Sequence, residues 1–230
     1  MARGFSLFSG KKVLALDVEC VANGKGHNDR VPCWVVIVNE KGRVLLDLKI
    51  KVTDMVSPLT RFSGVTAAML RSALPLDTVM RRVHKVLNSP AITLVGQSIE
   101  NDIAWLGLEK GVHYGDSEDI AEHFRTYNEK YKDYNYFSLV QTAYGLLGTS
   151  IQSTAHSPIE DAKTAMRLYV EWIKTGRDAE GGARLTRMRY KRQFPQETMP
   201  TDIHCDGVCG AKYQQARCIC GQPCVERKRE

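Results

Sequence analysis

Apolar residues crowd three segments near the start of the sequence, 12–20, 33–39 and 43–52, and each reads as a β-strand. The link NEKGR (39–43) has turn chemistry, so the second and third segments pair as a hairpin. An irregular stretch containing SPLTRFSG (57–64) follows, and VTAAML after it suggests a short helix. A longer helix is expected over 75–88, opened by Pro75, with Leu76, Val79, Met80, Val83 and Leu87 at helical spacing. AITLVG (91–96) is a short apolar strand, and a helix runs from about 99 to 109, stopping near Gly111. Residues 117–127, 136–147 and 158–174 also read as helices. Three strands followed by alternating helix, strand and helix predict an α/β fold, a mixed β-sheet flanked by helices.

Beyond Gly176 the pattern breaks. The sequence becomes polar, basic and rich in helix breakers, so 176–203 reads as a basic linker. It separates a main domain, 8–175, from a Cys-rich segment, 204–230. The chain has 230 residues, enough for one domain with a proper core and some additional sequence. Its net charge of +6 is uneven: residues 175–230 hold 11 Lys/Arg against 7 Asp/Glu, the rest 21 against 19. A basic tail on a nearly neutral body suits a polyanionic partner. No apolar run is long enough to span a bilayer, and MARGFSLFSGKK lacks the apolar stretch of a secretory signal. The expectation is an intracellular, soluble protein with no membrane partner. The basic run RMRYKR (187–192) does not decide between nucleus and cytoplasm.

The first strand ends in ALDVEC (15–20), where Asp17 and Glu19 follow an apolar run. Residues i and i+2 of a strand share a face, so two carboxylates stand side by side at the end of a buried element. A second carboxylate-bearing stretch is VGQSIENDIAWL (95–106), where Asp102 falls on the first turns of a helix, bordering its apolar face. The third is HSPIEDAKTAMRLY (156–169). Here Ser157 suits an N-cap, Pro158 the first helical position, and Glu160 the third, a predicted capping box. Asp161 lies at the edge of the apolar stripe, and His156 lies just before the helix, whose N-terminus disfavours a protonated ring. If these segments converge, Asp17, Glu19, Asp102 and Asp161 crowd one pocket. Two unit charges about 4–5 Å apart repel by roughly 3–4 kcal/mol at an effective dielectric near 20. Protonation or cations must relieve this, and an all-oxygen donor set favours Mg²⁺ or Mn²⁺.

Asp17, Glu19, Asp102, His156 and Asp161, in this order and local context, resemble the five signature positions of the DEDDh 3′→5′ exonucleases. TRFSGVT (60–66) and the order of elements look most like the branch of the interferon-induced RNA exonuclease and the ribosomal-RNA-processing exonucleases. The resemblance covers about residues 11–173. It implies a ribonuclease H-like fold and a two-metal mechanism that releases nucleoside 5′-monophosphates from single-stranded RNA. Asp17, Glu19 and Asp161 would hold two Mg²⁺ or Mn²⁺ ions, Asp102 would help directly or through water, and His156 would act as the base. Cys20 stands where that branch usually has Met, and Gln97 where many relatives have His. The positions of Cys20 and Arg61 lie near the terminal ribose in relatives, and a 2′-hydroxyl contact from Arg61 would favour RNA over DNA. A DNA exonuclease, a deadenylase or an oligonucleotidase would carry the same five residues. A reading of another class is a nucleic-acid or partner-binding module with a vestigial nuclease site. Tyr127, Tyr131, Tyr134, Tyr136 and Phe137, interleaved with Arg125, Lys130 and Lys132, have the composition of a stacking surface for single strands. They suit better a loop that caps the core with its charges solvated.

Five of the seven cysteines fall in the last 26 residues, and an odd total without a secretory signal argues against a disulfide framework. Cys205, Cys209, Cys218, Cys220 and Cys224, with His204 alongside, offer more than the four soft ligands zinc needs. A flexible thiol-bearing tail is the other reading. Zinc contributes about 10–16 kcal/mol in small peptides. Ordering some 20 residues costs roughly 1–2 kcal/mol each. Metal alone therefore does not order this segment, which also needs packing on Val208, Tyr213 and Ile219 or on the main domain.

Overall fold

The computed structural model describes residues 11–153, 156–193, 204–212 and 215–224. Strand β1 (Lys12–Ala22) is the centre of a five-stranded sheet. On one side it pairs antiparallel with β2 (Arg30–Asn39), which pairs antiparallel with β3 (Val44–Lys49). Three short helices follow: α1 (Thr60–Ser63), α2 (Ala67–Leu70) and α3 (Leu76–Val86). The chain then crosses to the other side of β1 and lays down β4 (Ile92–Gly96) parallel to it. Helix α4 (Ile99–Trp105) leads to β5 (Asp116–Asp119), parallel to β4. The order β3-β2-β1-β4-β5 is the mixed sheet expected from the sequence.

The two faces of β1 belong to different layers. Leu14, Leu16, Val18 and Cys20 pack in one apolar cluster with Val79 and Val83 of α3 and Ile99 and Ile103 of α4. Val13, Ala15 and Val21 pack in the other with Ala162, Ala165 and Met166 of helix α7 (Pro158–Leu168). Asp17 and Glu19 continue the second row, so the period of two carries both carboxylates to the α7 face. Between Glu19 and Cys20 the β1–β2 register slips by one, leaving Cys33 as an extra, unpaired residue of β2. Such a bulge raises local twist and re-aims neighbouring side chains.

Residues 117–127, expected as a helix, are instead β5, one helical turn α5 (Ile120–His123) and β6 (Arg125–Asn128). β5 reads Asp-Ser-Glu-Asp and carries no apolar alternation; its pairing with β4 defines it. Residue 136 closes β7 (Asp133–Tyr136), the partner of β6. Helix α6 (Leu139–Thr142) starts after Ser138, whose side chain forms a capping box with Gln141, and passes into a π-helical turn, Ala143–Leu147. A second π-turn, Tyr169–Ile173, extends α7. The predicted basic linker contains helix α8 (Ala179–Gln193). Its Ala183, Thr186 and Tyr190 are buried. Gly145 of the first π-turn approaches Thr186 so closely that a Cβ there would lie 2.6 Å from the Thr186 Cα. The C-terminal segment adds a two-stranded ribbon, β8 (His204–Cys205) with β9 (Val208–Cys209). Tyr213, expected to pack in this segment, lies outside the described residues. Among the described residues no helix is long and apolar enough to cross a membrane.

Candidate active site

β1 pairs with β4 only from Lys12 to Ala15, so its later residues project beyond the end of β4. Gly96 ends β4 beneath the Leu16 carbonyl; a Cβ there would lie 3.0 Å from that oxygen and 2.7 Å from Ile99 Cδ1. The bare turn admits α4, which brings Asp102 to the exposed edge of β1. The Val18 N–H, left without a strand partner on this side, donates to Asp102 Oδ1 at 2.8 Å. Asp102 is 4% exposed, so this bond fixes a buried carboxylate against the backbone between Asp17 and Glu19.

From the other layer, α7 presents Asp161, also 4% exposed. Gln152 Nε2 donates to its Oδ2 at 2.7 Å, while its Oδ1 is buried with no hydrogen-bond partner among the described residues. His156 Nδ1 lies 3.7 Å from Asp161 Oδ2. Ligand atoms of Glu19, His156 and Asp161 lie within 4.8 Å of one another. The loop holding His156 rests on Gly64, which has a φ of +66° and no Cβ; one built there would lie 2.2 Å from the His156 carbonyl oxygen. The TRFSG stretch thus acts as a backbone support for the imidazole. Ser157 precedes α7 with no side-chain cap bond. Glu160, the expected partner in a capping box, instead accepts from the Gln152 N–H at 2.9 Å. That bond orients the loop that carries Gln152 to Asp161, so the predicted capping box is replaced by a loop clamp.

The electrostatics follow from crowding. Burial, and then the Asp161 charge, raise Asp17 well above the usual carboxylate range. Burial, and then Asp17 and Asp161, push Glu19 up to about 9. Burial and Asp17 raise Asp102, against the lowering effect of the Val18 N–H. An all-oxygen cluster that resists ionisation and includes an unpartnered buried oxygen fits hard divalent cations. Asp17, Glu19, Asp102, His156 and Asp161, read from three separate stretches, are therefore neighbours in space.

Cys20 is 9% exposed and packs with Val18 in the cluster under α3 and α4, on the face opposite Glu19. Arg61 lies on exposed α1, its guanidinium 5.8 Å from the Phe62 ring centroid. Gln97 donates through Nε2 to the Phe137 carbonyl at 3.0 Å, a bond joining β4 to the segment before α6. The aromatic and basic run forms the β6–β7 hairpin. Tyr127 and Tyr134 meet edge to face, Arg125 lies 4.0 Å over the Tyr134 ring, and a cavity of about 770 Å³ separates the hairpin from α8.

A second cluster lies at the far end of β1. Sequence reasoning offered five tail cysteines; the structure gathers Cys209, Cys218 and Cys220 around His27, in the loop between β1 and β2. Cys205 packs with Ala22, Leu59 and Val208, and the Cys224 thiol donates to the Ala211 carbonyl. His27 was missed because its only signal is proximity across more than 180 residues. Gln152 was missed for a similar reason: it lies in a loop with no periodicity.

The sheet order and flanking helices make the mixed α/β fold expected from the sequence, with the five groups gathered at the middle of β1. The chain is similar to proteins named RNA exonuclease 4, a likeness consistent with the DEDDh-type resemblance of its sequence. No family model matches the sequence. It is 29% identical over 185 residues to RNA exonuclease 4 of Mus musculus, covering 78% of this chain and 41% of that protein. It is 30% identical over 172 residues to RNA exonuclease 4 of Homo sapiens, covering 73% and 39%. Among solved structures, the Saccharomyces cerevisiae Pan2 pseudoubiquitin hydrolase-RNA exonuclease module aligns with a TM-score of 0.65 at 22% identity, over 82% of this chain and 33% of that one. The same module in complex with AAUUAA RNA gives 0.63 at 21% identity, over 82% and 33%. The chain thus spans about two fifths of the mammalian relatives and one third of the Pan2 module.

Proposed function

We propose that the protein is a divalent-metal-dependent 3′→5′ exoribonuclease that releases nucleoside 5′-monophosphates from single-stranded RNA. The observation that carries this reading is the convergence of Asp17, Glu19, Asp102, His156 and Asp161 from β1, α4 and the start of α7. Asp17, Glu19 and Asp161 would hold two Mg²⁺ or Mn²⁺ ions, and the unpartnered Asp161 Oδ1 is a natural ligand atom. Asp102, held by the Val18 N–H, would help directly or through a bridging water. When bound, the cations supply the positive charge that stabilises the attacking and leaving oxygens of a phosphodiester displacement.

His156 has the exposure a base needs, its side chain 38% accessible beside a buried carboxylate. With Nδ1 facing Asp161, Nε2 takes the proton of the attacking water. The water oxygen bonds to phosphorus, the bond from phosphorus to the 3′ oxygen breaks, and that oxygen leaves with the shortened RNA and acquires a proton. RNA as substrate draws support from the names of the relatives and from the RNA-bound Pan2 module.

The test uses 5′-labelled single-stranded RNA and DNA with and without Mg²⁺ or Mn²⁺. A ladder shortening from the 3′ end, nucleoside 5′-monophosphate products and a metal requirement are expected, with RNA favoured. Asp17→Ala should abolish degradation with an unchanged circular dichroism spectrum. Equal degradation by wild type and Asp17→Ala would exclude this site as the source of activity.

A further inference from the structure

The cluster at His27 is built unlike a chance meeting of thiols. His27 is 2% exposed, and its Nδ1 lies 3.2 Å from Cys220 Sγ, 3.5 Å from Cys218 Sγ and 3.9 Å from Cys209 Sγ. The Cys218 and Cys220 sulfurs are 3.4 Å apart. A tetrahedron with Zn–S near 2.3 Å and Zn–N near 2.1 Å has edges of about 3.6–3.8 Å, and the observed separations scatter about those lengths. The other ring nitrogen, Nε2, meets the Pro223 carbonyl at 2.9 Å. A carbonyl only accepts, so Nε2 carries the proton and the Nδ1 lone pair faces the three sulfurs. The Ala211 N–H donates to Cys209 Sγ at 3.5 Å, which favours a thiolate there.

The ligands come from opposite ends of the chain. The loop holding His27 is bonded further to the tail: Asn28 N–H to Gln222 Oε1 at 3.0 Å, Gln222 Nε2 to Asp29 Oδ1 at 2.7 Å, and Arg30 Nη2 to the Cys209 carbonyl at 2.9 Å. Gly26 is so close to Gln222 that a Cβ would overlap its amide.

We propose that His27, Cys209, Cys218 and Cys220 bind one structural Zn²⁺ that clasps the C-terminal segment onto the nuclease domain. Four protein ligands close the coordination shell, so the ion serves architecture rather than water activation. The clasp sets tail groups against elements flanking the active site. Asp206 accepts from Ser57 Oγ at 2.5 Å and Val208 packs on Leu59, just before the TRFSG support. Lys212 Nζ donates at 2.8 Å to Asn101, the neighbour of Asp102 on α4. Only this placement beside an active site rests on the exonuclease reading; the zinc site does not.

The test measures metal on the full chain purified without chelator. One zinc per chain is expected, and Co²⁺ exchanged into the protein should give intense tetrahedral d–d bands with thiolate charge transfer. His27→Ala and Cys218→Ser should each weaken zinc retention by at least the 10–100-fold that loss of an outer-shell partner already costs. Cys205→Ser and Cys224→Ser should keep the ion. His27→Cys restores a fourth ligand, so it should retain zinc and separate ligation from misfolding. Limited proteolysis should release the tail from His27→Ala and from zinc-stripped wild type, and spare wild type and His27→Cys. Zinc kept by His27→Ala but lost by Cys218→Ser would mean a site within the tail alone, and would overturn the clasp. Wild type that neither carries zinc nor takes up Co²⁺ would overturn the site altogether. None of these readouts depends on nuclease activity.

Discussion

The carboxylate cluster should make the metal-free protein less stable than a variant lacking one of its carboxylates. Glu19 titrates near 9 in the fold against 4.5 when unperturbed, because burial, Asp17 and Asp161 oppose its charge. The folded protein therefore holds a proton on Glu19 that the unfolded chain releases above pH 4.5. Since the native state binds more protons, stability falls as pH rises through the interval from about 4.5 to 9. At pH 7 the unfolded-state value lies 2.5 units below the solution pH. At about 1.36 kcal/mol per unit this is roughly 3 kcal/mol. Partial access of Glu19 to water reduces the figure to about 2 kcal/mol. Glu19→Gln keeps the shape and removes the titration. For a chain of this size about 2 kcal/mol corresponds to a Tm rise of roughly 4–8 °C in divalent-free buffer at pH 7. The advantage should vanish toward pH 4.5 and widen toward pH 9. Adding Mn²⁺ should stabilise wild type far more than Glu19→Gln, because cations bind the ionised cluster and displace its protons. Thermal unfolding from pH 5 to 8, with and without Mn²⁺, makes the comparison, and the tail is common to both proteins. A Glu19→Gln Tm equal to or below wild type across that range without divalents would refute the reasoning.

Gly64→Ala forces a Cβ against the His156 carbonyl and a side chain into a φ of +66°, so the imidazole must move. A displacement of about 1 Å predicts a loss in kcat on the order of 100-fold. Mn²⁺ binding, followed by calorimetry, should persist. Arg61→Ala should narrow the preference for RNA over DNA through a higher KM on RNA; an unchanged ratio of kcat/KM on the two substrates would remove Arg61 from ribose recognition. Gly145→Ala wedges a methyl against the Thr186 backbone, and overpacking of this kind destabilises by about 1–3 kcal/mol. Earlier proteolytic cleavage of α8, with the sheet still protected from hydrogen exchange, is the expected signature.

The parts of the fold that were legible are those where burial imposes a period. β1 is a strand with a period of two, so that Asp17 and Glu19 share a face could be read before any contact was known; which of the two cores they face came from the structure. The apolar stripe of α7 likewise set Asp161 at the edge of a buried face. What failed is what long-range pairing decides. β5 is four polar residues made a strand by a neighbour, and α8 buries a stripe of small residues, Ala183 and Thr186, that sequence hydrophobicity weighs lightly. Gly181 and Gly182 in its first turns strengthen the appearance of a linker, yet Asp178 accepts from Gly181 N–H and anchors the helix start. Glu160 failed in an instructive way. Its spacing from Ser157 suits a local cap, but a loop amide eight residues upstream claims its carboxylate. The same rule separates the two metal-ligand clusters. All four carboxylates announce themselves through the strand and helix patterns that bury them. His27 sits in a short polar loop without periodicity, and only the folded chain shows that its imidazole completes a ligand set begun in the tail. A cysteine count therefore overstates the tail as a self-contained unit: with only three of its sulfurs converging, the fourth ligand must come from the body, and the segment is ordered by docking.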